Sequence, residues 1–236
     1  MRFQRLILRS IPLLMIPVLM SSCISINRTI KINRDGSGKE ILKITFMKEF
    51  YDVMASMSTL MDSTRRDGFL DSLYSDEVFE NKTAENYDTI AGLKLIDLSS
   101  TTNPDSSKTF LIDYDFDNLS KIGSSLSHIN ENDDKYVTDV SLKEVGNKVY
   151  FLYEYRLKDD GNTFTENDAA DSTAMDMKES MSKMFEGGNF SFEVELPYNV
   201  ISSNSNNRIG NVLKWEFPMT DVILSDKIRL EAEMEK

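Results

Sequence analysis

Apolar residues recur at every second position along most of the chain, which is typical of β-strands with one buried face. This alternation predicts strands in the segments 24–32, 42–46, 93–96, 110–116, 140–142, 149–157, 190–196, 213–217 and 228–234. Two intervening segments, 35–38 (Asp-Gly-Ser-Gly) and 146–147 (Gly-Asn), are tight turns, because glycine tolerates the positive φ angles of hairpin turns. The pattern therefore predicts two hairpins, each formed by the segments that flank one of these turns.

Two other segments carry apolar residues at helical spacing. The first has an apolar stripe of Phe50, Val53, Met54, Met57, Leu60 and Met61. The second has Ala170, Ala174, Met177, Met181, Met184 and Phe185, and the glycine pair 187–188 is expected to end it. Shorter helices are expected around Phe69, Leu70 and Leu73 and, with Asp117 as its N-cap, through Leu126. The polar segment 99–107 is expected to be a turn or loop.

The order of these elements indicates the fold class. Strands joined by tight turns pair antiparallel, and the helical segments stand between groups of strands rather than after every strand. This order predicts an α+β fold, in which two or three amphipathic helices cover a mostly antiparallel β-sheet of hairpins. Residues 23–236 are expected to form a single domain, which is long enough to bury a hydrophobic core. The order of the strands in the sheet stays open.

The first 22 residues have the composition of an export signal. Arg2, Arg5 and Arg9 precede an apolar run over residues 11–20, and Ser21 and Ser22 follow it. This sequence of charged, apolar and small residues is typical of a secretory signal peptide. A helix that spans a bilayer needs roughly 20 apolar residues, twice the length of this run. We therefore expect residues 1–22 to be a lipoprotein signal peptide that is removed.

The expected location depends on Cys23. Residues 19–23, Leu-Met-Ser-Ser-Cys, resemble the lipobox of bacterial lipoproteins, in which a small residue precedes the cysteine that is lipidated. The alternative is an ordinary secreted protein, but Cys23 is the single cysteine of the chain and has no disulfide partner. The resemblance implies a diacylglycerol thioether, and usually an acylated amino group, on Cys23. Several acyl chains anchor a protein stably at a membrane.

Charge and the residue after the cysteine refine this picture. Residue 24 is Ile rather than Asp, so by analogy with lipoprotein sorting rules the expected address is the inner leaflet of the outer membrane. Without residues 1–22, 24 basic residues stand against 39 acidic ones, a formal charge near −15. This charge disfavours nucleic acid, whose phosphates require a basic surface. The membrane, reached through the lipid on Cys23, is the first expected partner.

Residues that could carry catalysis or hold a metal are few. His128 is the single histidine and lies in a polar segment without a nucleophile motif, so a surface position is favoured over a general base. Asp113, Asp115 and Asp117 alternate like the start of an EF-hand loop, but the glycine and the closing glutamate of that loop are missing. A strand with Asp113 and Asp115 facing water explains them better. We predict no catalytic residue, no metal site, no cofactor and no enzymatic activity.

Short motifs near both ends of the domain resemble the LppM-like group of bacterial envelope lipoproteins. They are the turn at 35–38 after the first strand, Phe192-x-Val194-x-Leu196-Pro197, Asn204, and the run Gly-Asn-Val-Leu-Lys-Trp at 210–215. The resemblance implies an α+β domain at the cell envelope with a lipid-related role, and it implies no catalytic residue.

Two functional hypotheses follow. The first is a non-catalytic lipoprotein that binds a hydrophobic ligand, such as a lipid, in a cavity between the sheet and the helices. Methionine-rich faces adapt to varied hydrophobic partners, although they also serve as core packing; the candidate lining residues are Met57, Met181 and Trp215. The alternative is a structural or assembly lipoprotein that contacts another envelope protein, for which an exposed apolar patch is expected.

Overall fold

The computed structural model describes residues 24–59, 66–69, 75–122, 136–157, 179, 182–183, 185–225 and 227–236. Its strands are β1 (Ile24–Ile32), β2 (Gly38–Phe46), β3 (Leu93–Thr102), β4 (Lys108–Phe116), β5 (Tyr136–Val145), β6 (Lys148–Leu157), β7 (Asn189–Glu195), β8 (Asn199–Ser203), β9 (Asn207–Ile209), β10 (Val212–Pro218) and β11 (Lys227–Glu235). Its helices include α1 (Lys48–Ser58), α2 (Asp76–Asp88) and α3 (Met219–Leu224). Each segment that alternates in the sequence forms a strand.

The strands form two sheets rather than the single sheet that the sequence predicts. Seven strands pair in the order β3-β4-β2-β1-β7-β10-β9, and four pair in the order β5-β6-β11-β8. Both predicted hairpins are confirmed, as the antiparallel pairs β1–β2 and β5–β6. The pairing is otherwise antiparallel except between β1 and β7, which run parallel. Alternation shows that a strand has one buried face, but not which strand lies beside it.

The four-stranded sheet packs against the inner face of the seven-stranded sheet. The Phe151 ring centroid lies 6.5 Å from that of Trp215, and the Tyr153 ring centroid lies 4.7 Å from that of Phe192. Both sheets contribute alternate side chains to one hydrophobic core, which includes Ile30, Leu42, Ile112, Val149, Val194, Leu213, Leu230 and Met234. Burying such a side chain contributes about 1.5–3 kcal/mol. Packing between two sheets therefore forms the centre of the core.

Helices cover other parts of the inner face, so the prediction of helices over a sheet is confirmed in part. In α2, the Tyr87 ring centroid lies 5.1 Å from that of Tyr114 in β4. Helix α2 was not predicted from the sequence. Among its described side chains only Thr83 and Tyr87 are buried, and two such residues do not form an apolar stripe that could be recognised in the sequence. At the other end of the sheet, the Phe50 ring of α1 lies 4.6 Å from Phe46.

The first predicted helix differs from α1 in one respect. The helix begins at Lys48 and contains the first part of the apolar stripe. Phe50 packs on Phe46, but Val53 of the same stripe is 37% exposed. A helix at the edge of a sheet buries a narrower face than the stripe predicts, because only part of its circumference meets the sheet.

The turn between β1 and β2 uses its two glycines for different purposes. Gly36 has a φ of +82°, which suits a tight turn. Asp35 stabilises the same turn, because its Oδ1 accepts hydrogen bonds from the Ser37 N–H at 3.0 Å and the Ser37 hydroxyl at 2.6 Å. At Gly38, an added Cβ would lie 2.1 Å from the Lys31 carbonyl oxygen of the neighbouring strand and 2.5 Å from the Phe116 ring. Gly36 therefore allows the turn, and Gly38 leaves space for a core aromatic ring.

Several boundaries differ from the predictions. Strand β3 continues through Thr102 into the segment that was predicted to be a loop, which begins at Asn103 instead. The side chain of Asn118, rather than Asp117, accepts a hydrogen bond from the Ser120 N–H at 3.0 Å, where a helical turn begins. The strands β8 and β9 were not predicted, because their residues are mostly polar and exposed.

Some predictions concern residues that the structure does not describe. Residues 66–69 are helical, but Leu70 and Leu73 of the predicted short helix lie outside the described residues. The same is true of residues 123–126 and of most of the predicted helix over 170–185, in which residues 179, 182 and 183 are helical. In the part of the chain that is described, no helix combines the length and the apolar character needed to cross a bilayer.

Candidate functional site

A cluster of polar side chains lies in the centre of the core, between the two sheets. Arg28 of β1 donates from Nε to Glu40 Oε1 of β2 at 2.5 Å, and both side chains are completely buried. The Tyr114 hydroxyl donates to the other carboxylate oxygen, Glu40 Oε2. Arg28 Nη1 donates to the Tyr153 hydroxyl at 3.1 Å. These four residues, called the buried polar cluster below, connect β1, β2 and β4 of one sheet with β6 of the other.

The electrostatics of this cluster keep its charges in place. Burial alone would lower the pKa of Arg28, but the charge and hydrogen bond of Glu40, together with the two tyrosines Tyr153 and Tyr114, outweigh burial, so the pKa of Arg28 lies above its ordinary value. Burial, followed by the Glu40 charge, raises the pKa of Tyr114, and burial raises that of Tyr153. The guanidinium carbon of Arg28 also lies 4.8 Å from the centroid of the Phe192 ring, a favourable cation–π distance.

The buried polar cluster is suited to holding the fold rather than to contacting a ligand. The side chains of Arg28 and Glu40 have no exposed surface. Arg28 Nη2 has no hydrogen-bond partner among the described residues, so this guanidinium is held by Glu40, Tyr153 and the aromatic ring beneath it. A buried pair of this kind is costly to break, because a lone buried charge remains.

A trough lies on the opposite, outer face of the four-stranded sheet. Strand pairing aligns two rows of side chains across it: Lys143, Tyr150, Glu233 and Ser202 in one, and Ser141, Leu152 and Glu231 in the next. These residues line an open-sided volume of about 530 Å³, which falls within the range of about 300–1,000 Å³ that is usual for small-molecule sites. Tyr150 is 38% exposed, so an aromatic ring is accessible from the solvent. This surface is called the trough below.

Ion pairs fix the charged side chains at one end of the trough. Arg229 donates to Glu231 at 2.7 Å and to Glu154 at 3.1 Å. Glu154 also lies 2.8 Å from Lys227 and 3.2 Å from Arg156. The hydrogen bond from Lys227, together with the nearby positive charges, lowers the pKa of Glu154 below its ordinary value. Glu154 is therefore ionised at neutral pH and is held in position by three cationic side chains.

Asn204 connects the trough to the other sheet. Its Oδ1 accepts hydrogen bonds from the Trp215 indole N–H at 2.8 Å and from the Glu231 backbone N–H at 2.9 Å. Its Nδ2 donates to the Arg229 carbonyl oxygen at 2.9 Å. One side chain therefore joins β10 of the larger sheet to β11 of the smaller one, which explains the placement of this asparagine in the motif that the sequence analysis noted.

The residues predicted to line a ligand cavity are not brought together by the described part of the structure. Trp215 is 1% exposed, packs on Phe151 in the core and does not line the trough. Met57 lies in α1, but its side chain is outside what the structure describes, as is the whole of Met181. Their role in binding a hydrophobic ligand stays a prediction. Cys23 also lies outside the described residues and directly precedes Ile24, the first residue of β1.

The other residues considered for chemistry have the following positions. Asp113 points to the outer face of its sheet as predicted, but its side chain is only 14% exposed and lies 2.8 Å from the Lys39 ammonium. Among the residues that are described, no three His, Cys, Asp or Glu side chains are grouped so as to hold a metal ion. His128 lies outside them.

The sequence contains features that indicate both the buried polar cluster and the outer face of β6. Arg28 falls between Ile26 and Ile30 on the inward face of β1, and Glu40 precedes Leu42 on the inward face of β2. Two opposite charges at inward positions of one hairpin indicate a buried pair. In β6, residues 149–153 are apolar or aromatic at every position. Such a run indicates that the outward face, which carries Tyr150 and Leu152, also has a binding or packing role.

Comparisons with known proteins give a likeness to solved structures but none to a family model or a curated protein. No protein-family model matches the chain. No curated protein matches it either. Among solved structures, it is similar to the NMR structure of the folded domain of LppM from Mycobacterium tuberculosis, with 12% sequence identity and a TM-score of 0.40, over 92% of this chain and 91% of that chain. These values do not establish a shared family or function, and the resemblance to the LppM-like group stays a hypothesis.

Proposed function

We propose that this chain is a bacterial lipoprotein, held at a membrane of the cell envelope by lipid on Cys23, which binds a ligand and catalyses no reaction. The order of charged, apolar and small residues before Cys23 supports the anchor. Because β1 begins at Ile24 and is an inner strand of the seven-stranded sheet, the lipid would attach to the folded domain without a linker. Since residue 24 is Ile, the inner leaflet of the outer membrane is the proposed address.

The trough is the main observation that supports the proposed binding role. It combines an accessible aromatic ring with polar side chains that contacts between neighbouring strands already hold in place, and such preorganisation lowers the entropy cost of binding. The buried polar cluster, in contrast, offers no exposed atom of Arg28 or Glu40 to a ligand. The described residues therefore favour binding on the outer face of the small sheet over binding between the sheets.

Lipidation of Cys23 is tested by metabolic labelling of cells with radioactive palmitate. The wild-type protein should incorporate the label and stay with membranes after a high-salt wash. Cys23→Ser should incorporate none, whereas the matched control Ser21→Ala, which keeps a small residue before the cysteine, should be labelled like the wild type. An unlabelled wild-type protein would contradict the proposed anchor.

A second candidate function is assembly through contact with another envelope protein. Ile209 is 77% exposed at the end of the short edge strand β9, and Ile201 of β8 is 46% exposed. The pairing of β1 with β7 and of β7 with β10 puts Ile209 at the end of the sheet away from Ile24. At about 3.3 Å per residue, the two ends are roughly 20 Å apart. Ile209 therefore faces away from the proposed anchor.

Site-specific photocrosslinking in cells separates this candidate from ligand binding. A crosslinking residue at position 209 should give one discrete protein adduct if this end of the sheet docks on a partner. The same residue at position 145, which is 54% exposed on the smaller sheet, is the control. Equal and diffuse crosslinking at both positions would count against the assembly role.

A further inference from the structure

We propose that the trough binds a neutral glycan, a specification of the ligand that rests on the binding role proposed above. The ligand would lie across the outer faces of β6 and β11, with one sugar ring against Tyr150. The same chemistry is available from an oligosaccharide chain and from the uncharged sugar headgroup of a glycolipid, and the experiment below distinguishes the two.

The aromatic and apolar side chains match one face of a sugar. A pyranose ring presents C–H groups on its face, and these pack on an aromatic ring while the hydroxyls at its edge stay hydrated. Tyr150 is an exposed ring of this kind, with a polar tip as well as an apolar body. Leu152 follows two residues later on the same face, about 7 Å away along the strand. Adjacent sugar rings could therefore contact Tyr150 and Leu152.

The polar side chains match the hydroxyl groups at the edge of a sugar. Glu233 pairs with Lys148, and Glu231 pairs with Arg229. An ionised carboxylate has about four acceptor positions, so each one keeps capacity for sugar hydroxyls after its ion pair has formed. The hydroxyl of Ser202 and the ammonium of Lys143 complete the row that contains Tyr150 and Glu233. Donors and acceptors thus flank the aromatic ring on both sides.

The charge balance of the trough indicates that its ligand is neutral. The whole chain has a formal charge of −12, yet the lining of the trough contains two cationic residues, Lys143 and Arg229, and two anionic ones, Glu231 and Glu233. Arg229 is already bonded to two carboxylates, so it is not free to bind a phosphate or sulfate. Because the formal charges of the lining residues sum to zero, the trough does not favour an ion of either sign, and hydrogen bonding and stacking are the expected means of recognition.

The experiment uses the full-length lipidated protein, purified in a detergent that contains no sugar. Its probes are soluble hexasaccharides of N-acetylglucosamine and of glucose, phosphatidylcholine vesicles with and without a neutral galactosyl diacylglycerol, and a sulfated hexasaccharide. At least one neutral probe should bind, and the sulfated one should not. Binding to the soluble hexasaccharides identifies an oligosaccharide ligand, and binding only to the galactolipid vesicles identifies a glycolipid headgroup.

Variants connect any binding to the trough. Tyr150→Ala should weaken binding about tenfold, the effect expected from losing one aromatic contact, and Glu233→Gln should weaken it by a smaller factor. The control Val145→Ala removes an exposed apolar side chain of the same sheet outside the trough and should bind like the wild type. The thermal unfolding of all three variants checks that the sheet is intact.

The proposal is overturned if no neutral probe binds, if the sulfated hexasaccharide alone binds, or if Tyr150→Ala binds as tightly as the wild type. Palmitate labelling of Cys23 is measured independently. A protein that is labelled but binds no glycan would support the proposed anchor and contradict the proposed glycan ligand. A protein that binds a glycan but is not labelled would support the ligand and contradict the anchor.

Discussion

Among the described residues, one arginine–glutamate network lies on the inner side of the smaller sheet and another on its outer side, and burial is the main difference between them. Inside, Arg28 and Glu40 have no exposed side-chain surface. Outside, the Glu154 side chain is only 11% exposed, but the side chains of its partners Arg229 and Lys227 are each 49% exposed. Water can replace a partner that is lost from the outer network but not one that is lost from the inner network. The same chemical pair should therefore contribute very differently to stability in the two places.

The largest expected effect is that of breaking the inner pair. Glu40→Gln keeps the shape of the side chain but leaves the buried Arg28 without a counter-charge, so the free energy of unfolding should fall by about 3–5 kcal/mol. Urea unfolding followed by far-ultraviolet circular dichroism measures the change.

The control for this variant removes both charges. Arg28→Met combined with Glu40→Gln leaves no lone buried charge, and the amide introduced at position 40 can still accept a hydrogen bond from the Tyr114 hydroxyl. The double variant should therefore be more stable than Glu40→Gln alone. If the double variant instead lost as much unfolding free energy as the two single substitutions together, Arg28 and Glu40 would not be coupled. The proposed difference in stability between the inner and outer networks would then be unsupported.

A medium effect is expected from the tyrosines of the buried polar cluster at alkaline pH. Their folded-state pKa values are raised, so their contribution to stability is fully present below the unfolded tyrosine pKa of about 10 and is lost as the pH rises toward the folded values. At pH near 8, Tyr114→Phe combined with Tyr153→Phe should lower the unfolding free energy by about 1–3 kcal/mol for each orphaned partner.

Above a pH of about 10 the difference between this double variant and the wild type should narrow. Ultraviolet phenolate absorbance provides the second readout, because the two buried tyrosines should ionise only when the protein unfolds. Phenolate signal from Tyr114 and Tyr153 in the still-folded protein would show that water reaches the inner network.

The smallest effect is expected on the outer face. Glu154→Gln should lower the unfolding free energy by at most about 1 kcal/mol at neutral pH. Because the folded pKa of Glu154 is lowered, its contribution is present above the unfolded value of about 4.3 and is lost as the pH falls through the folded value.

Salt separates the two networks further. Raising the salt concentration to 1 M should remove most of the Glu154→Gln difference, since the Debye length shrinks to about 3 Å. The loss caused by Glu40→Gln should change little under the same conditions. Equal salt sensitivity of both variants would show that the two networks are equally hydrated.

The sequence predicted the strands well because each strand buries one face. The alternation of Ile30 and Ile32, and of Phe110 with Ile112, follows directly from that burial. Beyond the two hairpins, it did not predict which strands pair or what covers the sheet, since the inward stripe of β1 looks the same whether a helix or a second sheet packs on it. The helix α2 was missed for the opposite reason: it buries Tyr87 on a mostly polar helix, which leaves little periodicity to detect.

The candidate surfaces were less predictable than the fold. Arg28 and Glu40 could have been identified as a buried pair, since both interrupt apolar stripes on the two strands of one predicted hairpin. For the trough, the run 149–153 indicates only that the outward face of β6 has a role, because the trough itself needs side chains of β8 and β11 beside those of β5 and β6. Pairing between distant segments carries no local signal in the sequence. The methionines at helical spacing, by contrast, are apparent in the sequence, and they are the reason why Met57 and Met181 were predicted to line a binding cavity.

The strand order has a consequence for when this chain can fold. Strand β1 pairs with β7 on one side, so that Ser25 lies beside Asn189 although most of the chain separates them in sequence. The last strand, β11, lies between β6 and β8 inside the smaller sheet. The larger sheet cannot be completed before β10 has been synthesised, and the smaller sheet cannot be completed before β11, because strands that pair at such long range must first be brought together by loop closure. Late completion of both sheets would suit the proposed export signal, because a chain that has not yet folded can be threaded through a translocation channel.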